Sequence, residues 1–251
     1  MPEGPSIVIL REEAAPFVGK KILRASGNTQ LIDPQRMVGK KVVALRSHGK
    51  QFLMQLPGFA LRIHFMLFGK YAINGQRVNR VGLKADPRLS IGFAKGEINF
   101  YACSVRYVEG DVDTLYDWSS DVMSDAWNPR KARAKLEAQP STLACDALLD
   151  QDVFAGAGNI IKNEVLYRIR VHPLSRIGRL PSRKLGELVK QARQYSFDFY
   201  EWKKQFVLRK HWCVHGKTMC PRCKIRLRFA ASLGKRKRRA FFCANCQLRY
   251  A

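Results

Sequence analysis

Carboxylates are scarce in this sequence of 251 residues, which has 20 Asp and Glu against 45 Lys and Arg and therefore a formal net charge of +25 at pH 7. No Asp or Glu follows Glu201, although Lys and Arg continue almost to the end of the chain. Solubility alone requires much less charge than this. The imbalance favours a nucleic acid as partner, because neutralising phosphates releases condensed counterions. A ribosomal type of basic protein or a membrane-surface binder is the alternative interpretation.

Long apolar runs are also missing, and none approaches the ~20 residues that a membrane-spanning helix needs. The first residues lack the basic and apolar regions of a secretory signal. We therefore expect an intracellular protein, located in the cytoplasm or nucleoid of a prokaryote or otherwise in the nucleus. The hydrophobic content of 46% predicts a folded chain, and the length allows two domains.

Cysteines number seven, and this odd number argues against a full disulfide framework. Three of them are scattered and are interpreted as ordinary thiols. The other four form two C-x2-C pairs separated by nineteen residues: Cys220, Cys223, Cys243 and Cys246. A β-hairpin of that length can bring two such turns together, and four thiolates satisfy tetrahedral Zn²⁺. We predict one structural zinc ion per chain, with no open position for catalysis; a redox pair is the weaker alternative.

The pattern of apolar residues predicts strands first and helices later. Residues 5–19 have a helical period that ends at Gly19. Short runs rich in Val, Ile, Phe and Leu then predict a sandwich or barrel, at residues 41–46, 51–56, 60–65, 69–73 and 97–108. Residues 118–129 are polar and turn-rich, as in a linker. Helices are predicted at residues 130–137, 142–150, 160–170 and 182–202, before a cysteine-bearing hairpin at about 214–250.

Two further features are suited to phosphate binding. Gly156 and Gly158 precede a helix with an apolar stripe at Ile161, Val165 and Ile169, and a helix N-terminus of this kind favours an anion. Asn159 lies at that point, where it could contact DNA or simply cap the helix. The basic run at residues 235–239 lies between the two cysteine pairs. On a metal-clamped hairpin it could grip phosphates, although it could also only solvate the loop.

Three sets of motifs together resemble the formamidopyrimidine-DNA glycosylase/endonuclease VIII (Fpg/Nei) family. They are the start at residues 1–5, the segment 148–159 followed by 171–173, and Arg238 with the finger residues 241–247. The resemblance implies a multidomain α+β fold, with DNA held in a cleft between a β-sandwich domain and a helical domain. The implied divisions are a catalytic domain at 1–117, a linker at 118–129, a helix–two-turn–helix domain at 130–212 and a zinc finger at 213–251.

The resemblance also implies roles for individual residues. Pro2 would be the nucleophile once Met1 is removed, Glu3 an acid/base partner and Lys50 an essential lysine. Asn159 and Arg238 would grip phosphates beside the lesion, with Arg238 counted in the catalytic set as well. The chemistry agrees, since an N-terminal proline is a secondary amine and an α-amino group titrates near pH 8. The alternative is that Pro2 and Glu3 only permit removal of methionine.

The location of Lys50 supports two interpretations. On an alternating strand it would share a face with Phe52, Met54 and Leu56, which is unusual for a charged residue. It could extend outward from the strand end. It could also point to the DNA, and the resemblance favours this second interpretation.

Met66, Leu67 and Phe68 resemble the endonuclease VIII type of strand turn, in which bulky residues fill the hole left by an everted base. The alternative is a core strand. The 8-oxoguanine branch of the family uses a long Gly-rich segment to cover its base. This sequence has no such segment between residues 182–202 and the finger. Both observations favour oxidised pyrimidines as substrates.

The sequence therefore predicts a bifunctional DNA glycosylase and AP lyase, a monomer that acts on damaged double-stranded DNA, with single-stranded DNA as the second candidate substrate. Ser6 departs from the family, which has an acidic residue there. The alternatives are a non-catalytic protein that binds damaged DNA and a glycosylase for unusual lesions such as crosslinks. Retention of Pro2 and Lys50 favours the enzyme, because a pure DNA binder needs neither.

Overall fold

The computed structural model describes residues 2–77 and 86–251. The chain divides into two compact units, Met1–Tyr116 and Asp117–Ala251. None of the helices in the described ranges combines the length and the apolar character needed to cross a bilayer.

The first unit is built mainly from strands. Its helices and strands are, in chain order, α1 (Gly4–Glu13), β1 (Arg24–Ser26), β2 (Ala44–His48), β3 (Gln51–Leu56), β4 (Phe59–His64), β5 (Lys70–Ile73), β6 (Gln76–Arg77), β7 (Leu89–Gly92), β8 (Glu97–Tyr101), β9 (Ser104–Glu109) and α2 (Val112–Leu115). Short 3-10 turns at Ala15–Phe17 and Pro34–Met37 connect some of them.

These strands form an antiparallel β-sandwich in the described part of the unit. One sheet has the order β1-β7-β8-β5-β6 and the other the order β2-β3-β4-β9. The buried side chains of both sheets join α1 in a single core that includes Ile7, Leu10, Phe52, Phe59 and Phe100. Helix α1 lies against β2 and β3 and covers part of the second sheet.

The predicted strand at 97–108 is in fact two strands. Ala102 has a φ of +47°, a left-handed conformation that turns the chain between β8 and β9. The two strands then enter different sheets, since β8 pairs with β5 and β7 while β9 pairs with β4. An alternation of apolar residues cannot reveal such a turn when no Gly or Pro marks it.

The second unit is mainly helical and ends in a hairpin. It contains α3 (Pro129–Glu137), α4 (Ala144–Ala147), α5 (Asn159–Arg168), α6 (Ser182–Lys204), β10 (Arg228–Leu233) and β11 (Arg238–Phe242). Helix α3 begins where the sequence predicts, because Asn128 accepts hydrogen bonds from the backbone N–H groups of Arg130 and Lys131. The predicted helix at 142–150 is much shorter, and α4 makes only one turn.

The segment expected to be a linker, residues 118–129, is folded into the second unit. Val122 is fully buried in that unit's helical core. The backbone here pairs with Ala155. The Val122 N–H donates to the Ala155 carbonyl over 3.1 Å, and the Ala155 N–H donates to the Ser120 carbonyl over 2.9 Å. The polar, turn-rich composition is therefore that of a packed loop.

Two separate cores stabilise the second unit. The larger one joins α3, α5 and α6, and the apolar stripe of Ile161, Val165 and Ile169 is buried in it as predicted. The smaller one surrounds the cysteine pairs and includes Tyr167, Val214 and Leu227. The architecture confirms the predicted fold class, a multidomain α+β chain with an N-terminal β-sandwich, a leading helix, a helical region and a cysteine-bearing hairpin.

Candidate functional site

The chain enters the first unit through Pro2 and Glu3, which directly precede α1. Glu3 occupies the N-cap position with extended backbone, and its carbonyl accepts a hydrogen bond of 2.8 Å from the Ser6 N–H. Pro5 lies in the first turn, where a missing N–H costs nothing. The Glu3 side chain is only 1% exposed, so a carboxylate is held inside the protein next to Pro2. Ser6, in the first turn of α1, is also buried.

Lys50 lies in a tight turn and is not part of a strand. Gly49, with a φ of +56°, and Lys50 connect β2 to β3. Strand β3 is buried on both faces from Phe52 to Leu56, so the alternation that placed Lys50 on an apolar face does not apply. Helix α1, which follows Pro2 and Glu3, packs against β2 and β3, the two strands that the Lys50 turn connects.

His64, which the sequence analysis did not select, lies close to Lys50. It ends β4 and pairs with Gln51, the residue after Lys50. Burial lowers the pKa of His64, and the positive charges of Lys50 and Arg62 lower it further. His64 is therefore uncharged at neutral pH and can accept or donate a hydrogen bond. Its only sequence signal is its position at a strand end, before Met66.

Met66, Leu67 and Phe68 form the exposed turn between β4 and β5. Their exposed fractions are 55%, 44% and 75%, which rules out the alternative that they belong to a core strand. Met66 has a φ of +50°, and its N–H donates to His64 Nδ1 over 3.3 Å. Gly69 closes the turn, because a Cβ there would lie 2.2 Å from the carbonyl oxygen of Phe65. The turn thus presents three bulky apolar side chains to solvent.

In the second unit, Asn159 is the first residue of α5, and Gly158 is the N-cap. The alternative role of Asn159 as a helix cap is therefore wrong. Its Oδ1 is buried and accepts no hydrogen bond from the described residues. The loop before it is fixed by Gln151, whose side chain donates to the carbonyls of Leu149 and Ala157 and accepts from the Gly156 N–H. Asn159 is thereby held at the start of the first turn of α5.

The four cysteines of the hairpin converge, with all four sulfur atoms within 4.8 Å of one another. Cys220 Sγ and Cys246 Sγ are 3.9 Å apart. Two sulfurs on one tetrahedral Zn²⁺ at about 2.3 Å lie about 3.8 Å apart, so the spacing suits a single ion of that size. The donor set is a complete S4 shell without a water position.

The surroundings favour the thiolate at Cys220, whereas burial and hydrogen bonds with the neighbouring sulfurs raise the pKa of Cys246 to about 12. Burial opposes ionisation of Cys220, but hydrogen bonds from the Cys223 backbone and the Tyr167 hydroxyl outweigh it and lower the pKa of Cys220 to about 6. Gln247 secures the second pair, since it accepts from the Cys243 N–H over 2.8 Å and donates to the Val171 carbonyl over 2.9 Å. This geometry fits a metal-binding knuckle attached to the helical region.

Arg238 begins β11 and pairs with Leu233 across the hairpin. It is partly exposed and follows the tip formed by Gly234 to Lys237. The side chains of Lys235, Arg236 and Lys237 are exposed, which both interpretations of the basic run predict.

Sequence analysis also missed a buried polar set on α5, formed by Lys162, Asn163 and Glu164. The Glu164 carboxylate accepts from the backbone N–H groups of Cys213, Val214 and His215 over 2.7–2.9 Å. Helix α5 is buried on almost all sides, so its polar residues face protein where an amphipathic pattern predicts solvent. Three consecutive polar residues between Ile161 and Val165 were the available signal.

Two models of one family match most of the chain. The formamidopyrimidine-DNA glycosylase N-terminal domain matches residues 1–106, and the H2TH domain of the same glycosylase matches residues 119–195. The chain belongs to the formamidopyrimidine-DNA glycosylase family. The predicted resemblance to this family is thereby confirmed.

Similar proteins occur in both branches of the family. Endonuclease 8-like 3 of Mus musculus is 33% identical over 204 residues, which are 79% of this chain and 33% of that protein. Formamidopyrimidine-DNA glycosylase of Carboxydothermus hydrogenoformans is 26% identical, with 98% of this chain and 100% of that protein covered. This family member spans 33–43% of the length of the endonuclease 8-like 3 relatives it matches.

The fold is shared with solved structures. Lactococcus lactis formamidopyrimidine-DNA glycosylase, bound non-covalently to DNA that contains an AP site, superimposes with a TM-score of 0.83 at 20% identity, covering 98% of this chain and 100% of that one. A viral DNA glycosylase gives a TM-score of 0.83 at 18% identity, with the same coverage. These likenesses show the common fold.

Proposed function

We propose that this family member is a bifunctional DNA glycosylase and AP lyase of base excision repair, acting on oxidised bases through the amine of Pro2. The observation that carries the proposal is the start of the chain, where Pro2 precedes a buried carboxylate at Glu3. A family match over both units supports it. A protein that only bound DNA would gain nothing from a buried acid beside a secondary amine.

The proposed reaction begins after removal of Met1. The Pro2 nitrogen attacks C1′ of the damaged nucleotide, the glycosidic bond breaks, and the departing base takes up a proton. Opening of the sugar ring at O4′ leaves an iminium between Pro2 and C1′. The iminium acidifies C2′, so loss of a C2′ proton expels the 3′ phosphate. A second elimination expels the 5′ phosphate and leaves a one-nucleotide gap. Water then hydrolyses the iminium, which releases the sugar fragment as an aldehyde and restores the Pro2 amine.

Chain residues supply the proton transfers in this scheme. Glu3, held inside the first unit, is the acid/base group next to the amine. Lys50, in the turn that follows β2, provides a cation for the opened sugar or a phosphate. The neighbouring His64 is kept neutral by burial and by Lys50, so it adds a hydrogen-bonding group without a second positive charge.

The proposed DNA contacts lie on both units. Met66, Leu67 and Phe68 form an exposed apolar turn that could occupy the space of an everted base. Asn159 and the first turn of α5 offer donors to a phosphate, and Arg238 offers a guanidinium. The net charge of +25 supports a polyanionic partner. We infer that the chain acts on duplex DNA as a monomer, and single-stranded DNA is the second substrate to be assayed.

The cysteine cluster is proposed to hold one structural Zn²⁺. Cys220, Cys223, Cys243 and Cys246 supply four sulfurs at the required spacing. When bound, the ion would cross-link the base of the hairpin. Its role would be structural, because four sulfur ligands leave no position for a substrate.

A panel of oligonucleotides with one lesion each tests the substrate class. We expect faster excision of thymine glycol and dihydrouracil than of 8-oxoguanine, because the Met66–Phe68 turn resembles the endonuclease VIII type. Products should carry phosphate at both ends of the gap, and the second elimination should be the slower step with Ser6 in place of a carboxylate. Strong 8-oxoguanine excision with weak pyrimidine excision contradicts the preference. Activity confined to ready-made abasic sites contradicts the glycosylase.

The salt dependence of DNA binding tests the role of Arg238. Arg238→Ala should reduce the slope of log K against log salt by about 0.9, because one phosphate contact is lost. The effect should be similar for any base sequence, since a phosphate contact does not distinguish bases. Arg239→Ala is the matched control on the neighbouring exposed residue. An unchanged slope for Arg238→Ala with a reduced slope for Arg239→Ala would transfer the contact to Arg239.

A further inference from the structure

The tip of the hairpin is too far from the cysteines to be held by a metal. Arg238 precedes Cys243 by five residues of extended strand, which corresponds to roughly 17 Å. A two-stranded hairpin is only marginally stable by itself. Clamping Cys243 therefore fixes the base of the hairpin and leaves the direction of Arg238 to other contacts.

Asp146 supplies such a contact at the tip. Its side chain, only 6% exposed, lies on α4 and accepts from the backbone N–H groups of Lys235 over 2.9 Å and of Arg236 over 3.0 Å. Both amides belong to the turn directly before Arg238. Asp150, after α4, adds an ion pair of 3.6 Å with the Arg236 guanidinium.

Gly234 makes this approach possible. Its φ is +71°, and a Cβ at that position would lie 2.5 Å from Asp146 Oδ1. The turn can therefore close over the carboxylate only if residue 234 has no side chain. Gly234 and the buried Asp146 carboxylate are therefore close together in the fold although they are far apart along the chain.

Contacts on the other side of Arg238 come from α5. Lys162, which is 1% exposed, donates to the carbonyl of Arg239 over 2.8 Å. Asn163 Oδ1 accepts from the Phe241 N–H over 3.4 Å. Arg238 thus lies between two backbone attachments, one to Asp146 and one to the helix that begins at Asn159.

We propose that Asp146 is a positioning residue, which fixes the backbone of the basic tip so that Arg238 is aimed at a DNA phosphate together with Asn159. The inference rests on the proposed function of Arg238. It accounts for a buried carboxylate under a strongly basic turn, where charge alone would disfavour DNA binding. Two clamps then hold the hairpin, with the cysteines at its base and Asp146 at its tip.

The substitution Asp146→Asn tests the proposal, because positioning and simple charge predict opposite changes in DNA affinity. Removal of an acid raises the net charge from +25 to +26, and Coulomb attraction alone would tighten DNA binding. Loss of the tip attachment should instead weaken binding about tenfold, as expected when a charge-assisted phosphate contact is lost. Asp152→Asn is the matched control, since Asp152 is exposed and its replacement changes the charge equally. Tighter binding in both variants would overturn the proposal.

A double-mutant cycle separates positioning from general destabilisation. In the Arg238→Ala background, Asp146→Asn should have little further effect on DNA affinity or on the salt slope, because both substitutions remove one contact. Independent, additive losses would overturn the positioning role. The metal content should equal that of the wild type, and kcat should change less than KM. Gly234→Ala should reproduce the Asp146→Asn result.

Hydrogen exchange of the Lys235 and Arg236 amides measures the attachment without DNA. Both amides should exchange slowly in the wild type and much faster in Asp146→Asn. Equal exchange would overturn the attachment itself. If Arg238→Ala binds DNA as the wild type does, the phosphate role of Arg238 in the proposed function fails. If Arg238→Ala weakens binding and Asp146→Asn does not, the positioning role fails alone.

Discussion

Borohydride should trap the chain on lesion-containing DNA through Pro2, and blocking the Pro2 amine should abolish the trapping. The reason is chemical: an iminium between Pro2 and C1′ is reducible to a stable amine, whereas a proline nitrogen inside a peptide bond is not nucleophilic. A variant with an uncleavable residue before Pro2 should lose trapping by roughly 10²-fold or more, because loss of a covalent nucleophile costs enzymes several powers of ten. Pro2→Gly keeps a primary amine and should trap far less than wild type without reaching zero.

Peptide mapping of the adduct identifies the nucleophile. We expect the cross-linked nucleotide on the N-terminal peptide, and intact mass should show that Met1 has been removed from the active protein. Pro16→Gly is the matched control, since it makes the same substitution at an exposed proline away from the start of the chain. An adduct on Lys50 would assign the chemistry to a different amine and contradict the role of Pro2.

The cysteine cluster and the hairpin were predictable from sequence because cysteine spacing has few structural solutions. The spacer between the pairs beginning at Cys220 and Cys243 is long enough for a β-hairpin that brings the two pairs together. Helix α6 was predictable for a similar reason, since its apolar period extends over many turns. Local patterns of this kind determine local structure with little help from the rest of the chain.

Buried polar residues account for most of what sequence could not predict. Glu164 and Asp146 are acids that accept hydrogen bonds from backbone N–H groups remote in sequence. Their roles depend on which loop packs over α5 and α4, and no periodicity encodes that. The same is true of Val122, whose polar neighbours suggested a linker while its side chain enters the core.

Lys50 shows the limit of strand alternation. The pattern assumes that one face of a strand is exposed, but β3 is covered on both faces, so apolar residues occur at every position from Phe52 to Met54. The turn at Gly49, not the strand, determines where Lys50 lies.

Cys243→Ser should remove the metal, from one ion per chain to nearly none, and with it most DNA binding. Structural Zn²⁺ contributes about 10–16 kcal/mol to the folding of small finger peptides. The small core around the cysteines contains few other apolar groups, so it should unfold without the ion. The measurement is metal content by mass spectrometry together with DNA affinity. Cys213→Ser is the matched control, because Cys213 packs on the same core but is not part of the sulfur cluster.

The loss of folded structure in Cys243→Ser should be confined to the region around the hairpin. The first unit has its own core around Phe52 and Phe100, so its cooperative thermal transition should persist. Arg238 should lose its orientation, since β11 ends at Phe242, directly before the substituted residue. Asp146 could still hold the tip, so hydrogen exchange should rise first at the base of the hairpin and later at Lys235 and Arg236. Retention of the metal and of full DNA affinity in Cys243→Ser would contradict the zinc assignment. If protection from hydrogen exchange were lost at the base and at the tip at the same time, the metal alone would order the hairpin.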